Sequence, residues 1–140
     1  MFAQSREETR QLFCSVFKKV QEQTTLDPLE QQIAEVIKLH PEYHKLLMDP
    51  ESALAQEFTP EQGQSNPFLH MGMHLAIREQ VSTDRPAGIR EYFSQLIKKL
   101  GESETEHRMM ECLGNSLWEA QRNNSLPDEQ AYLDCIHRLL

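Results

Sequence analysis

The chain has 140 residues, the length of one domain, with 39% apolar and 26% charged residues, which excludes a disordered chain and allows a real hydrophobic core. Its net charge of −8 at pH 7 argues against nucleic acid and anionic membranes, because a phosphate-binding face needs a basic stripe. The adjacent lysines, Lys18–Lys19 and Lys98–Lys99, sit among acids.

Helical punctuation runs through the whole chain. Ser5 stands three residues before Glu8, a capping-box spacing. Leu12, Phe13, Val16, Phe17 and Val20 then fall on one helical face, predicting a first helix to about residue 22. Asp27-Pro28 with Glu30 opens a second helix with the stripe Leu29, Ile33, Val36 and Ile37. Pro41 interrupts it, so HPEYHKLLM is either a kinked continuation or a short new helix. Asp49-Pro50 predicts another short helix ending near Phe58. TPEQGQS, residues 59–65, reads as the most loop-like stretch.

Asn66-Pro67 opens a helix predicted to reach about Val81. Ile89, Phe93, Leu96, Ile97 and Leu100 mark the next, with Gly101 as its natural terminator. Ser103 and Glu106 give a further capping-box spacing, ahead of Met110, Leu113, Leu117 and Trp118. The last helix begins at Pro127-Asp128 and turns Tyr132, Leu133, Ile136 and Leu140 inward. No stretch alternates like a strand. The expected fold is an all-α bundle of six to seven helices in a single domain over 1–140.

The start, MFAQSREETR, has no apolar leader core, and no run of 18 apolar residues occurs. Cys14, Cys112 and Cys135 are odd in number and form no CxxC pair, which reads as reduced thiols in a cytoplasmic protein.

The most informative stretch is NPFLHMGMH, residues 66–74. At about 100° per residue, His70, His74, Ile77 and Val81 share one narrow sector of a helix that is apolar almost all round. Such a helix is buried among neighbours, and so are its imidazoles. A buried imidazole needs a partner at both nitrogens, and leaving one unmet costs about 1–3 kcal/mol. The solutions are carboxylates or carbonyls, ordered water, or a metal.

Histidines at i and i+4 chelate metals, as in HExxH sites. Here the intervening residues are MGM, so the general-base glutamate of that motif is missing and a protease of that type is excluded. HPEYH repeats the spacing at His40 and His44. Together the four histidines, or three with a carboxylate such as Glu35 or Glu42, suit zinc or iron. The two spacings are similar to those of hemerythrin-like proteins, helical bundles with i,i+4 histidines. A single ExxH, Glu104 to His107, falls short of the two that a carboxylate di-iron centre needs. Histidines satisfied by core hydrogen bonds or lying at the surface are the plainer reading, the one expected for His107 and His137.

No GxSxG nucleophile and no glycine-rich phosphate loop is present. Trp118, Gln121 and Arg122 recur at helical spacing near a helix end, and Trp and Arg are favoured where proteins meet.

Three stretches together, AEVIKLHPEYH, NPFLHMGMHLAIREQVSTDRP and MMECLGNSLWEAQRNN followed by PDEQAYLDCI, resemble a bacterial family described as domain of unknown function 1841. The resemblance implies a bacterial cytoplasmic protein and supplies no catalytic residues. Two readings follow. One is a non-catalytic interaction or scaffolding module with a protein partner, using Trp118, Gln121 and Arg122. The alternative is a metal-binding bundle with His70, His74, His40 and His44 as ligands of a divalent transition metal, zinc or iron.

Overall fold

The structure, a computed structural model, describes residues 6–58 and 66–140. Among them are eight α-helices, a 3-10 turn and no strand: α1 (Arg6–Gln21), α2 (Pro28–Lys38), the turn Pro41–Tyr43, α3 (His44–Leu47), α4 (Pro50–Ala55), α5 (Pro67–Thr83), α6 (Ile89–Leu100), α7 (Glu102–Arg122) and α8 (Glu129–His137). The all-α expectation holds. The count exceeds six to seven because the four-residue α3 stands as a piece of its own, separate from α2. The Ser5 capping box and the TPEQGQS loop lie outside the described residues.

The chain divides into two compact units, residues 1–75 and 76–140, with α5 running from the first into the second. In the first unit, α1 packs on α2, α3 and α4. Its core joins Phe13, Val16 and Phe17 of α1 to Ile33, Val36 and Ile37 of α2, with Leu47, Ala53, Phe68, Met71 and Leu75. α2 begins as its sequence dictates. Asp27 accepts from the Glu30 amide, and the Glu30 carboxylate accepts from the Asp27 amide. Proline 41 ends it and starts the 3-10 turn, so HPEYH is a new turn and not a kinked helix.

The fourth helix stops at Ala55, short of the expected Phe58. Gln56 is extended, and its carbonyl accepts from both Arg10 and Arg6. Arg10 itself is buried, donates to the Ala53 carbonyl, and lies over the rings of Phe58 and Phe68. A guanidinium from α1 therefore satisfies the carbonyls that another helical turn would have used.

In the second unit, α6, α7 and α8 pack on one another. Gly101, at φ +86, caps the end of α6 and the start of α7, so one residue that tolerates the left-handed region serves two helices. The expected Ser103–Glu106 capping box does not form. Glu106 is buried instead, and both its oxygens accept from Arg78 Nε, at 3.3 and 3.1 Å. An ion pair with an arginine satisfies a buried carboxylate more fully than an exposed cap would.

The cysteine expectation is corrected. Cys112 of α7 and Cys135 of α8 form a disulfide, and Cys14 is the free, buried thiol. The odd count conceals a pair because the partners lie 23 residues apart, on helices that become adjacent only in the fold.

Candidate metal centre

The site lies wholly in the first unit. His40 closes α2 and precedes the Pro41–Tyr43 turn; His70 and His74 occupy successive turns of α5. The proline break explains the placement. It swings the chain off the α2 axis at His40, so this imidazole turns back into the unit and is only 6% exposed. His74 is 1% exposed, and His70 is half-buried. The prediction that α5 buries its histidines is met by His74 fully and by His70 in part.

The three imidazoles converge. The His40 ring centroid lies 4.8 Å from that of His70 and 5.0 Å from that of His74, and His70 and His74 are 4.8 Å apart. One ring nitrogen from each lies within 4.8 Å of the other two. The Nε2 atoms of His70 and His74 are separated by 3.2 Å. Two nitrogens bound tetrahedrally at zinc–nitrogen distances near 2.0–2.1 Å would be about 3.3 Å apart. The pair is thus spaced as ligands are, with no rearrangement of α5.

The protons can be placed at His40. Its Nδ1 lies 3.1 Å from Glu42 Oε2. The Glu42 backbone amide, followed by His40, holds that carboxyl below its ordinary range, so it is ionised and can only accept. Nδ1 therefore donates, and in the neutral ring Nε2 carries the lone pair. Nε2 is buried and has no hydrogen-bond partner among the protein atoms. A carboxylate that fixes the tautomer of one imidazole while its far nitrogen stays open is the arrangement that supports metal-bound histidine. Tyr43 stacks on the His40 ring, centroids 5.0 Å apart and planes 20° apart. Burial pushes the Tyr43 hydroxyl up from its ordinary range, so it stays protonated.

His44 stands apart from this group. Its Nε2 lies 3.0 Å from the Ile37 carbonyl and its ring packs on Phe17 at 4.9 Å. The i,i+4 spacing of HPEYH is not expressed as a helical face, because residues 41–43 form a tighter 3-10 turn. Three of the four expected ligands come together and the fourth serves the core. Glu42, a candidate ligand carboxylate by its place in the sequence, contacts His40 Nδ1 and not the open nitrogen. Glu35 is exposed on α2.

Of His107 and His137, both expected at the surface, only His137 is fully there. His137 is exposed and stacks on Tyr92; His107 is half-buried, its Nδ1 2.8 Å from the Ser103 carbonyl. Trp118, Gln121 and Arg122 are exposed on the last turns of α7, with the Arg122 guanidinium 4.9 Å from the Trp118 ring centroid.

Among the described residues no helix is long and apolar enough to cross a membrane. No curated protein and no solved structure matches the chain. The family resemblance is upheld over nearly the whole length: a family profile matches residues 5–138, and the chain belongs to the family described as Domain of unknown function (DUF1841).

Proposed function

We propose that this protein binds a divalent transition metal, zinc or iron, through His40, His70 and His74. The observation that carries the reading is His40 Nε2, a buried nitrogen with no hydrogen-bond partner beside two further imidazoles. His70 and His74 pair with each other, Nε2 to Nε2 at 3.2 Å, which is also the spacing of two ligands on one metal. Here Glu42 fixes one proton, and the open lone pair is left beside His70 and His74. Three neutral imidazoles leave a divalent ion its full charge and a fourth position, the pattern of a Lewis-acidic site and not of a closed structural one. Half-buried His70 marks the side from which solvent reaches the group.

The test is metal content by inductively coupled plasma mass spectrometry on untagged protein purified without chelators. The comparison set is His70→Ala/His74→Ala and His44→Ala. About one equivalent in the wild type and in His44→Ala, lost in a folded double variant, is expected. Absence of metal from folded wild type after reconstitution with zinc and with ferrous iron would overturn the reading.

A second reading, a protein-binding edge on α7, is supported by the 57% exposure of Trp118 with Arg122 stacked on it. Its test is the emission of this single tryptophan. A partner should shift that emission, and should no longer bind Trp118→Ala/Arg122→Ala. A partner bound equally well by the variant would remove this edge from consideration. We also propose a bacterial, cytoplasmic setting, supported by the family resemblance, which cell fractionation would check.

A further inference from the structure

We propose that the Cys112–Cys135 bond is a reversible thiol-exchange site, opened at Cys135 by a dithiol reductant, and that its state sets how firmly α8 is held. The inference is independent of the metal reading. Three observations carry it.

The first is access. Cys112 is 3% exposed, whereas Cys135 is half-buried, so the two ends of the bond differ in what solvent can reach. Both residues line a cavity of about 520 Å³ between α7 and α8. Cys135 is the more exposed end of the bond, and an incoming thiolate meets it first.

The second is the electrostatic setting. Glu119, Asp128 and Asp134 line the same cavity and outnumber Arg138. Acidic side chains there repel small anionic thiols and give Cys112 no help as a leaving group. A dithiol reductant fits better, because its second thiol resolves the mixed disulfide in place.

The third is what the bond restrains. α8 has nine residues, too few to hold a helix alone. Tyr132 and Ile136 are its buried side chains. Besides the disulfide, Tyr132 donates to Gln80 Oε1 at 2.6 Å, and Lys99 donates to the Leu140 carbonyl at 2.7 Å. α8 also packs on α6 and α7 and stacks His137 on Tyr92, so loss of the covalent bond loosens the helix without detaching it. In the cytoplasmic setting proposed above, disulfides are characteristically made and broken in use.

The exchange balances. A reductant thiolate attacks Cys135 Sγ, and a mixed disulfide forms as the bond to Cys112 breaks. Cys112 leaves as a thiolate and takes a proton from water. The second thiol of the reductant then attacks the reductant's own sulfur in the mixed disulfide and releases Cys135. The products are two protein thiols and an oxidised reductant.

The experiment uses the full chain, first oxidised with glutathione disulfide and then treated under native conditions with thioredoxin, its reductase and NADPH. Alkylation with N-ethylmaleimide in denaturant, read by intact mass, counts the thiols. One adduct before reduction, at Cys14, and three within minutes after it are expected. Tryptic cleavage after Arg122 and Arg138 should rise at least tenfold on reduction, with cleavage inside residues 6–58 unchanged. Cys135→Ser should reproduce the reduced pattern; should that variant not fold, reduction of the wild type still decides. Three adducts after oxidation would show that no bond forms. A bond that resists thioredoxin until the chain is denatured would make it a fixed staple. Unchanged cleavage after complete reduction would show that α8 does not depend on it. Each of these results overturns the proposal.

Discussion

The two compact units bury polar groups in opposite ways. In the second unit the buried charge is closed. Glu106, 2% exposed, receives Arg78 on both oxygens, and Tyr132 donates to Gln80. Among the described residues of that unit, the buried side-chain polar atom without a hydrogen-bond partner is Thr105 Oγ1, which belongs to no cluster of metal-ligating side chains. Among the described residues of the first unit the unmet atom is His40 Nε2, and it stands within a cluster of three imidazoles. Closed groups of this kind hold a fold together. An open one, surrounded by others of its type, is what a ligand completes.

The largest expected effect tests the closed pair. Arg78→Ala should destabilise the protein by about 3–5 kcal/mol in urea denaturation, because it strands the Glu106 carboxylate in the core. A loss below about 1 kcal/mol would mean that Arg78 does not close the buried charge of Glu106. Reducing the disulfide comes next. The bond closes a loop of 23 residues, and opening it should cost about 3 kcal/mol by loop entropy, read as a lower midpoint of unfolding.

The contrast sharpens at the histidines. Zinc at about 100 times its dissociation constant should stabilise the wild type by about 2.7 kcal/mol, and His40→Leu should abolish the gain. Without metal, the same substitution should raise stability by about 1 kcal/mol, because it removes an unmet buried nitrogen. A loss of 2 kcal/mol or more in the metal-free protein would instead place His40 among the closed groups. Arg78→Ala and metal-free His40→Leu thus carry opposite signs.

The smallest effect concerns Glu30. The hydrogen bond from Lys19, then the Asp27 amide, holds its carboxyl below the ordinary 4.5. A depressed folded value contributes stability that is present above the unfolded value and lost as pH falls through the folded one. Lys19→Met should therefore narrow the difference in melting temperature between pH 7 and pH 3. It should leave the melting temperature below the folded value unchanged. An equal pH response in both proteins would show that the bridge contributes nothing.

The helices were legible because their signals are local. Asp-Pro and Asn-Pro starts, apolar stripes and Gly101 act within one or two turns, and each marks an element in the structure. Errors arose where a distant group decided. The end of α4 is set by Arg10, 43 residues away from the Ala53 carbonyl it binds. The Ser103 box is displaced by Arg78, 28 residues from Glu106. At the site, the burial of His74 could be read from the apolar surroundings of α5. The convergence of His40 on it could not, and neither could the departure of His44. Both follow from how far Pro41 turns the chain, and the tightness of that turn is a matter of packing.

By itself the sequence determined an acidic, all-helical chain, its helix starts, and a short list of imidazoles on two segments. Periodicity and capping are short-range physics, carried by neighbouring residues. Only the tertiary structure decided which three imidazoles meet, that Glu42 orients one of them, and that Cys112 finds Cys135. Those choices depend on contacts between residues far apart in the chain, whose closure the local pattern permits without specifying.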